Sequence, residues 1–415
     1  MTQDNIMKKN DTHTIYACYL GYIVQAIINN LSPLLFLTFE KDFGISIGKI
    51  GLLISINFGV QMIVDALAAR YVDQIGYRTS IVAAHIFCTA GLLGMGIFPF
   101  LFPDAFTGLV IAIILNSIGG GLIEVLVSPI VEAAPSSKAK DTAMSLLHSF
   151  YCWGHVGMVL LSTVGFKIFG MGHWYYLPVL WAVFPFVNIF IFARVPIRVL
   201  TAEDERIPFK KLISTKLFWI FFLLMICAGA AEQAMSQWAS LFAEAGLQQS
   251  KAVGDLLGPC LFALLMGSSR MFYGRFGEKI DLQNFMTGSS ILCILSYLVA
   301  VFSPYPVLAL IGCGMCGLSV GIMWPGTFSL AAKKCPQGGT AMFALFALAG
   351  DVGCSVGPGL VSVVSKSWPS YGLKAGLAAA IIFPLLMILV IAYQKRTLSD
   401  TPALTAFTKK EETNA

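Results

Sequence analysis

Long apolar segments separated by short polar loops run along almost the whole chain. A segment of about 20 apolar residues can cross the roughly 30 Å hydrocarbon core of a bilayer as a helix. The pattern predicts twelve such helices, near 13–39, 47–70, 79–101, 105–134, 142–167, 174–196, 216–243, 252–275, 282–303, 305–333, 340–365 and 372–394. We therefore expect an all-α polytopic membrane protein.

The composition strengthens this prediction. Hydrophobic residues make up 57% of the 415 residues and charged residues 12%, about half of the roughly 25% charged residues typical of soluble domains. The polar residues 1–11 precede an apolar run that is too long for a removable signal peptide and has no small-residue cleavage site. We expect the first span to stay in the mature protein.

Lysine and arginine residues predict the orientation in the membrane. An even number of spans places both termini on one side, and basic residues favour cytoplasmic loops. Of the 27 basic residues, 21 lie on the predicted side of the termini, and Arg270 is counted among them. The six on the other side are Lys41, Lys49, Lys167, Lys251, Lys366 and Lys374. The sequence thus predicts a multi-pass protein of the cell membrane with cytoplasmic termini. This asymmetry explains most of the net charge of +5, so no nucleic-acid partner is expected.

The cysteines do not predict a metal or redox site. Almost all ten lie inside apolar spans, and the CxxC of Cys313 and Cys316 lies in the small-residue stretch GCGMCGLSVG without a second ligand pair. Such a stretch is typical of close helix packing. We predict no metal, no cofactor and no enzyme activity.

A charged segment divides the spans into six and six. The predicted organisation is an N-terminal six-helix bundle at 1–193, a cytoplasmic linker at 194–216, a C-terminal six-helix bundle at 217–394 and a cytoplasmic tail at 395–415. Three pairs of segments repeat between the two parts: ARYVDQIGYR at 69–78 with RMFYGRFGEK at 270–279, SP at 128–129 with WP at 324–325, and WGHVG at 153–157 with AGDVG at 349–353. A duplicated six-span unit is typical of secondary transporters that bind substrate near the midplane between the halves.

Twelve spans with an acidic, glycine and basic loop after spans two and eight resemble the major facilitator superfamily. The loop motif of that family reads G-x-x-x-D-[RK]-x-G-[RK]-[RK]. The matching residues here are Asp73, Gly76 and Arg78 in the first copy and Arg275, Gly277 and Lys279 in the second, whereas Ala69, Gln74, Tyr77 and Gly274 depart from the motif. The resemblance implies two pseudo-symmetric six-helix bundles, a monomer, alternating access and a cytoplasmic gate at these loops. The alternative is that the basic residues serve only as positive-inside anchors.

Several ionisable and amide side chains lie inside the predicted spans. A charge at the centre of a membrane helix costs about 2.5 to 3.5 kcal/mol, so such residues are candidates for a functional cavity. Glu124 lies ten residues from the predicted end of its span, which is roughly 15 Å at a rise of about 1.5 Å per residue. We place Asp65 nearer the cytoplasmic surface, where it could reach water. The predicted substrate-binding set is Gln25, Asn29, Glu124, His148, Tyr151, His155, Glu232, Gln237, Trp238, Trp324 and Asp351.

The stretch from Glu124 to Pro129 reads E-x-x-x-S-P. It is similar to the E-x-x-x-N-P of the fucose permease-like branch of the superfamily, where the glutamate is a proton-binding and sugar-facing carboxylate. The resemblance implies that Glu124 binds the coupling proton. The first-span aspartate of that branch has no counterpart here, so Glu232 is the predicted second acid, or Glu124 acts alone.

The repeat suggests two further contacts. His155 and Asp351 occupy matched positions, so we predict an ion pair or relay between them, with mutual satisfaction of two buried polar groups as the alternative. Pro129 and Pro325 also match and predict helix kinks that shape the cavity.

These residues favour proton-coupled import of a sugar or a similar small polyhydroxylated metabolite. Aromatic rings can stack on a pyranose while amides and carboxylates bond its hydroxyls. A proton-driven exporter of drugs or lipophilic metabolites with the same fold is the main alternative, and a membrane sensor built on a transporter fold is a third. Sodium remains the alternative coupling ion.

Overall fold

The structure, a computed structural model, describes residues 3–134, 140–198, 213–334 and 339–398. Every span-length element in these ranges is helical, and twelve helical segments are long and apolar enough to cross a membrane. The prediction of an all-α polytopic protein with twelve spans is confirmed. Residues 199–212 of the predicted linker and 399–415 of the predicted tail lie outside the described residues.

Seven spans are single helices. These are span 1 (Gln3–Phe43), span 2 (Ile47–Ile75), span 3 (Tyr77–Leu101), span 4 (Ala105–Ala133), span 5 (Lys140–Phe169), span 9 (Leu282–Phe302) and span 11 (Gly339–Ser367).

Five spans are interrupted. They are span 6 (Tyr176–Trp181 and Val183–Arg194), span 7 (Lys216–Ser236, Ala239–Leu241 and the π-turn Phe242–Gly246), span 8 (Lys251–Asp255, the π-turn Leu256–Cys260 and Leu261–Phe276), span 10 (Pro306–Val320 and Met323–Lys334) and span 12 (Gly372–Ala379 and Ile382–Leu398). Irregular backbone at membrane depth is tolerated where it faces protein or a cavity.

Local chemistry fixes several helix ends. The Asp104 carboxylate accepts hydrogen bonds from Thr107 and from the amide of Phe106 at the start of span 4. These bonds, led by that of the Thr107 side chain, hold the pKa of Asp104 below its ordinary value. Gly76 alone separates spans 2 and 3, with φ of 94°, a backbone conformation that glycine adopts without strain.

The matched prolines do not produce matched breaks. Pro325 has no N–H, so the carbonyl of Gly321, four residues earlier, loses its helical partner. Span 10 is interrupted at this point. Span 4 continues without interruption through Pro129. The helix break is thus confined to the C-terminal half, and a kink at Pro129 stays a prediction.

The chain has two faces, which we name by its ends. The termini face holds the start of span 1 and the end of span 12, and the far face lies opposite. Spans 1–6 form the N-terminal half and spans 7–12 the C-terminal half. Span 2 packs along span 11, and span 5 along span 8, so these four helices join the halves.

Hydrogen bonds join the halves towards the far face. Lys251 Nζ donates to the carbonyl of Leu34 at 2.7 Å, and Ser362 Oγ to the carbonyl of Ile47 at 3.4 Å. We call these two contacts the far gate. The far gate closes this side of the interface in the present conformation.

Candidate functional site

A cavity lies between the halves near the middle of the spans. Including the part continuous with solvent, its empty space is about 490 Å³. Spans 1, 2, 4 and 5 of one half and 7, 8, 10 and 11 of the other supply its walls. The lining residues are Tyr22, Gln25, Asn29, Phe58, Glu124, His148, Tyr151, Glu232, Gln233, Arg270, Trp324, Asp351 and Cys354.

Glu124 faces this cavity without a basic partner. Its Oε2 accepts a hydrogen bond of 2.6 Å from Gln25 Nε2. Among the described side chains, no lysine, arginine or histidine nitrogen lies within 4.0 Å of its carboxylate. Gln25 Oε1 is buried and has no hydrogen-bond partner in the part of the chain that the structure describes. The pair therefore offers a carboxyl group whose charge is not compensated, together with an unused acceptor.

Glu232, by contrast, has a cationic partner. Arg270 Nη2 lies 3.4 Å from Glu232 Oε2, and the two side chains are 6% and 8% exposed. Gln233 Nε2 donates to the other glutamate oxygen at 3.2 Å. A buried charge needs this kind of pairing and hydrogen bonding. The two predicted coupling acids therefore have different electrostatic surroundings.

Arg270 also connects three spans. Its Nε donates to the carbonyl of Gly321, which Pro325 leaves without a helical partner, at 3.1 Å. Its Nη1 donates at 3.3 Å to the carbonyl of His148 in span 5, and thus reaches across to the N-terminal half. The guanidinium thus donates a hydrogen bond to the Gly321 carbonyl at the break in span 10, and its charge balances that of Glu232 in span 7.

The assignment of Arg270 to the cytoplasmic basic residues was wrong. The residue is 6% exposed and lines the cavity. The signal was present in the sequence, because Arg270 lies five residues inside the predicted span 252–275.

A chain of amides connects the cavity with its surroundings. Asn29 Oδ1 accepts from Gln61 Nε2 at 3.0 Å and from Asn57 Nδ2 at 3.2 Å. The Asn29 carbonyl accepts from Gln237 of the other half at 3.1 Å, and Gln237 also donates to Gln233 at 2.9 Å. Because most amide groups are already bonded, the position of Asn29 is fixed by its neighbours.

Aromatic side chains complete the walls. The Trp324 indole packs on the backbone of Gly350, where a Cβ atom would collide with the ring. Tyr151 accepts a hydrogen bond of 3.0 Å from Asn30. The rings of Tyr22 and His148 meet edge to face at 5.1 Å. These are flat apolar surfaces beside polar groups, a combination suited to a sugar ring.

Eight of the eleven residues in the predicted set line the cavity, and three do not. Gln237 and Trp238 lie at the interruption of span 7. Gln237 bonds between the halves, and Trp238 donates to the carbonyl of Pro358 at 3.2 Å. His155 is 2% exposed and its Nδ1 has no partner. Tyr22, Phe58, Gln233 and Cys354, like Arg270, were not in the predicted set.

The predicted ion pair of His155 and Asp351 does not form. No salt bridge between them occurs within 4.0 Å among the described residues. Asp351 instead contacts Asp65 of span 2. Residues related by a pseudo-two-fold axis touch only if both side chains point to that axis, and sequence repetition does not determine this.

The two copies of the loop motif differ in structure. Arg78 donates to the carbonyls of Phe192, Ala193 and Val195 at 2.8 to 2.9 Å and so caps the end of span 6. Gly277 has φ of −60°, unlike Gly76. Arg275 and Lys279 are exposed. The side chain of Asp73 lies outside the described residues.

A family model described as Major Facilitator Superfamily matches residues 18–358. The fold is similar to a variant of the fucose:proton symporter FucP of E. coli, with a TM-score of 0.66, 13% identity, and coverage of 92% of this chain and 98% of that chain. FucP in its outward conformation gives a TM-score of 0.65 and 12% identity, with coverage of 92% and 98%.

A bacterial homologue of the human lysosomal transporter Spinster, inward-facing and occupied, gives a TM-score of 0.72 and 12% identity, with coverage of 93% and 97%. Curated protein sequences give no significant match. At these identities the similarity to solved structures shows the fold and leaves the substrate to be inferred from the cavity.

Proposed function

Because the chain belongs to the major facilitator superfamily and has the fold of a secondary transporter, we propose that it imports a sugar or a similar small polyhydroxylated metabolite together with a proton. Glu124 is the proposed proton carrier. The observation that carries this proposal is its carboxyl group, which faces the cavity beside Gln25 and has no basic partner.

The charge state of Glu124 supplies the coupling. An ionised carboxylate without a counter-ion is costly at mid-membrane depth. A proton removes that cost when the halves close around the cavity. Water can stabilise the ionised form when the cavity opens. Proton binding and release therefore follow the alternating access of the two halves.

Glu232 has a different part in this scheme. Its charge is balanced by Arg270, and the pair holds the wall formed by spans 7, 8 and 10. We therefore assign proton transfer to Glu124. Glu232 and Gln233 serve as acceptor and donor for substrate hydroxyls.

The chemistry of the walls favours a polyhydroxylated substrate. Gln25 Oε1 is an acceptor without a partner among the described residues. Asn29 and Gln233 line the cavity with amides that neighbouring residues hold in place, and Trp324 and Tyr151 present rings. A cavity for a lipophilic cation would need apolar walls around one acid. The number of amide groups therefore supports the importer over the exporter of lipophilic compounds.

The test is uptake of a panel of labelled sugars by proteoliposomes, with and without an imposed pH gradient. Gln resembles a protonated Glu, so we expect Glu124→Gln to lose gradient-driven accumulation and to keep exchange of labelled for unlabelled substrate. Glu40→Gln makes the same chemical change at the far end of span 1 and should behave as the unmodified protein. Undiminished accumulation by Glu124→Gln would refute Glu124 as the carrier. Extrusion of a lipophilic dye without any sugar uptake would establish the exporter instead.

A further inference from the structure

Two aspartates from different halves meet at the edge of the cavity. The carboxyl groups of Asp65 of span 2 and Asp351 of span 11 lie close enough together to interact. Asp65 is 0% exposed and Asp351 is 2% exposed. Asp351 also lines the cavity. The pair is thus shielded from solvent but can be reached from the cavity through one of its members.

This contact belongs to the continuous packing of span 2 against span 11. Nearer the far face, a Cβ atom on Gly51 would collide with the Ser362 side chain, and one on Gly359 would lie 3.7 Å from Ser55 Oγ. The two helices therefore lie close together over several turns. This packing holds the backbones of the two helices close together where they carry Asp65 and Asp351.

Neither aspartate is stabilised by a basic or amide donor at the atoms that face its partner. Asp65 Oδ1, Asp65 Oδ2 and Asp351 Oδ2 are buried and accept no hydrogen bond from an N–H or O–H group of the described residues. Two ionised carboxylates are both acceptors and cannot bond to each other. The contact becomes a hydrogen bond only if a proton lies between them.

The surroundings make a double negative charge still less favourable. Glu124 of span 4 acts on both aspartates as a further negative group. Arg270 of span 8 is bonded to Glu232 of span 7 and does not compensate the pair. The Cys354 thiol lies near Asp351 on span 11 and carries no positive charge. Every acidic group facing the pair therefore opposes its full ionisation.

We propose that Asp65 and Asp351 form a second proton-binding site, in which one proton is shared between two carboxyl groups from opposite halves of the protein. The bound form is one carboxylic acid donating its O–H to one carboxylate, with a charge of −1 on the pair. Release of the proton leaves two adjacent carboxylates with a charge of −2, which repel across the interface. The site is separate from Glu124 and does not depend on the identity of the substrate.

Infrared spectroscopy of the purified protein at neutral pH tests this site directly, because a protonated carboxyl group has its own C=O stretching band. We expect the double variant Asp65→Asn/Asp351→Asn to lose the amplitude of one protonated carboxyl group per molecule, calibrated against the amide band. Each single variant should shift the frequency of that same band. Asp11→Asn is the matched control, because Asp11 is ion-paired with Arg198 at 2.9 Å and should contribute no such band.

Two results would overturn the proposal. Loss of two protonated groups in the double variant would show that each aspartate carries its own proton, and loss of none would show that both are ionised. If the double variant does not fold, the single variants decide, since a band that neither of them shifts excludes a shared proton. Because no transport is measured, the outcome is independent of whether Glu124 couples sugar uptake.

Discussion

The buried ion pair of Arg270 and Glu232 gives the sharpest test of the cavity structure. Arg270→Met keeps much of the side-chain volume but leaves Glu232, at 8% exposure, without its cation. Removal of one partner of a buried pair typically costs about 3 to 5 kcal/mol. Protonation of Glu232 sets an upper limit on this loss of stability. Neutralising a glutamate of ordinary pKa about 4.3 at pH 7 costs about 3.7 kcal/mol. We therefore expect a loss of about 3 to 4 kcal/mol in the free energy of unfolding.

The protonation route also predicts a pH signature. In Arg270→Met, the neutral glutamate is favoured by falling pH, so stability should recover by about 1.4 kcal/mol per pH unit from pH 7 towards the ordinary glutamate pKa. The double variant Arg270→Met/Glu232→Gln has no such group, so it should recover part of the loss at pH 7 and show no slope from this site.

Detergent-solubilised protein unfolded by SDS and followed by circular dichroism provides the measurement. Arg198→Met is the control, because Arg198 pairs with Asp11 while its own side chain is 46% exposed. Such partly exposed pairs typically contribute about 0 to 1 kcal/mol. A loss in Arg270→Met no larger than that of the control, or a loss independent of pH, would refute the ion pair as a stabilising element of the cavity.

Three further substitutions test the interface and a turn. Gly51→Ala places a methyl group against the Ser362 side chain, whereas Gly59→Ala on the same helix meets nothing within 4 Å. Overpacking of this kind costs about 1 to 3 kcal/mol, so Gly51→Ala should slow transport about tenfold and Gly59→Ala should leave the rate unchanged. Equal transport rates in the two variants would contradict close packing at the far gate. Lys251→Met removes the donor that closes the far gate, so hydrogen exchange at the far ends of spans 1 and 7 should accelerate, and unchanged exchange would count against this gate. Gly76→Ala forces alanine to φ of 94° and should lower the free energy of unfolding by about 1 to 3 kcal/mol, unless the turn adopts another conformation.

The number and type of the spans could be predicted because the length of an apolar segment follows directly from consecutive residues in the sequence. The segment of span 2 that is long and apolar enough to cross a membrane ends at Ala68, close to the predicted end at 70, although its helix continues to Ile75. The depth estimate from the sequence nevertheless placed Asp65 towards the surface, where water could solvate it. In the structure Asp65 is fully buried, and its partner comes from a helix almost 300 positions away in the chain.

The candidate site could be predicted only in part. Depth along a helix follows from position, and it correctly brought Glu124, Glu232 and Asp351 to the same cavity. Which side of the helix a residue occupies depends on helix rotation, and composition does not determine it. His155 and Asp351 therefore form no salt bridge with each other, although both are buried at matched positions of the repeat.

The sequence repeat covers the helices of the two halves but not the charged residues Glu124 and Arg270. At the offset of 196 that aligns Pro129 with Pro325, the counterpart of Glu124 is Val320, and at the offset of 201 of the loop motif the counterpart of Arg270 is Ala69. Glu124 and Arg270 thus have no charged equivalent in the other half, although the helices that carry them do. Rocking between two states requires halves of similar shape, whereas coupling requires a charge that one state stabilises better than the other. An exchange of Val320 and Glu124 would preserve the first property and should abolish the second.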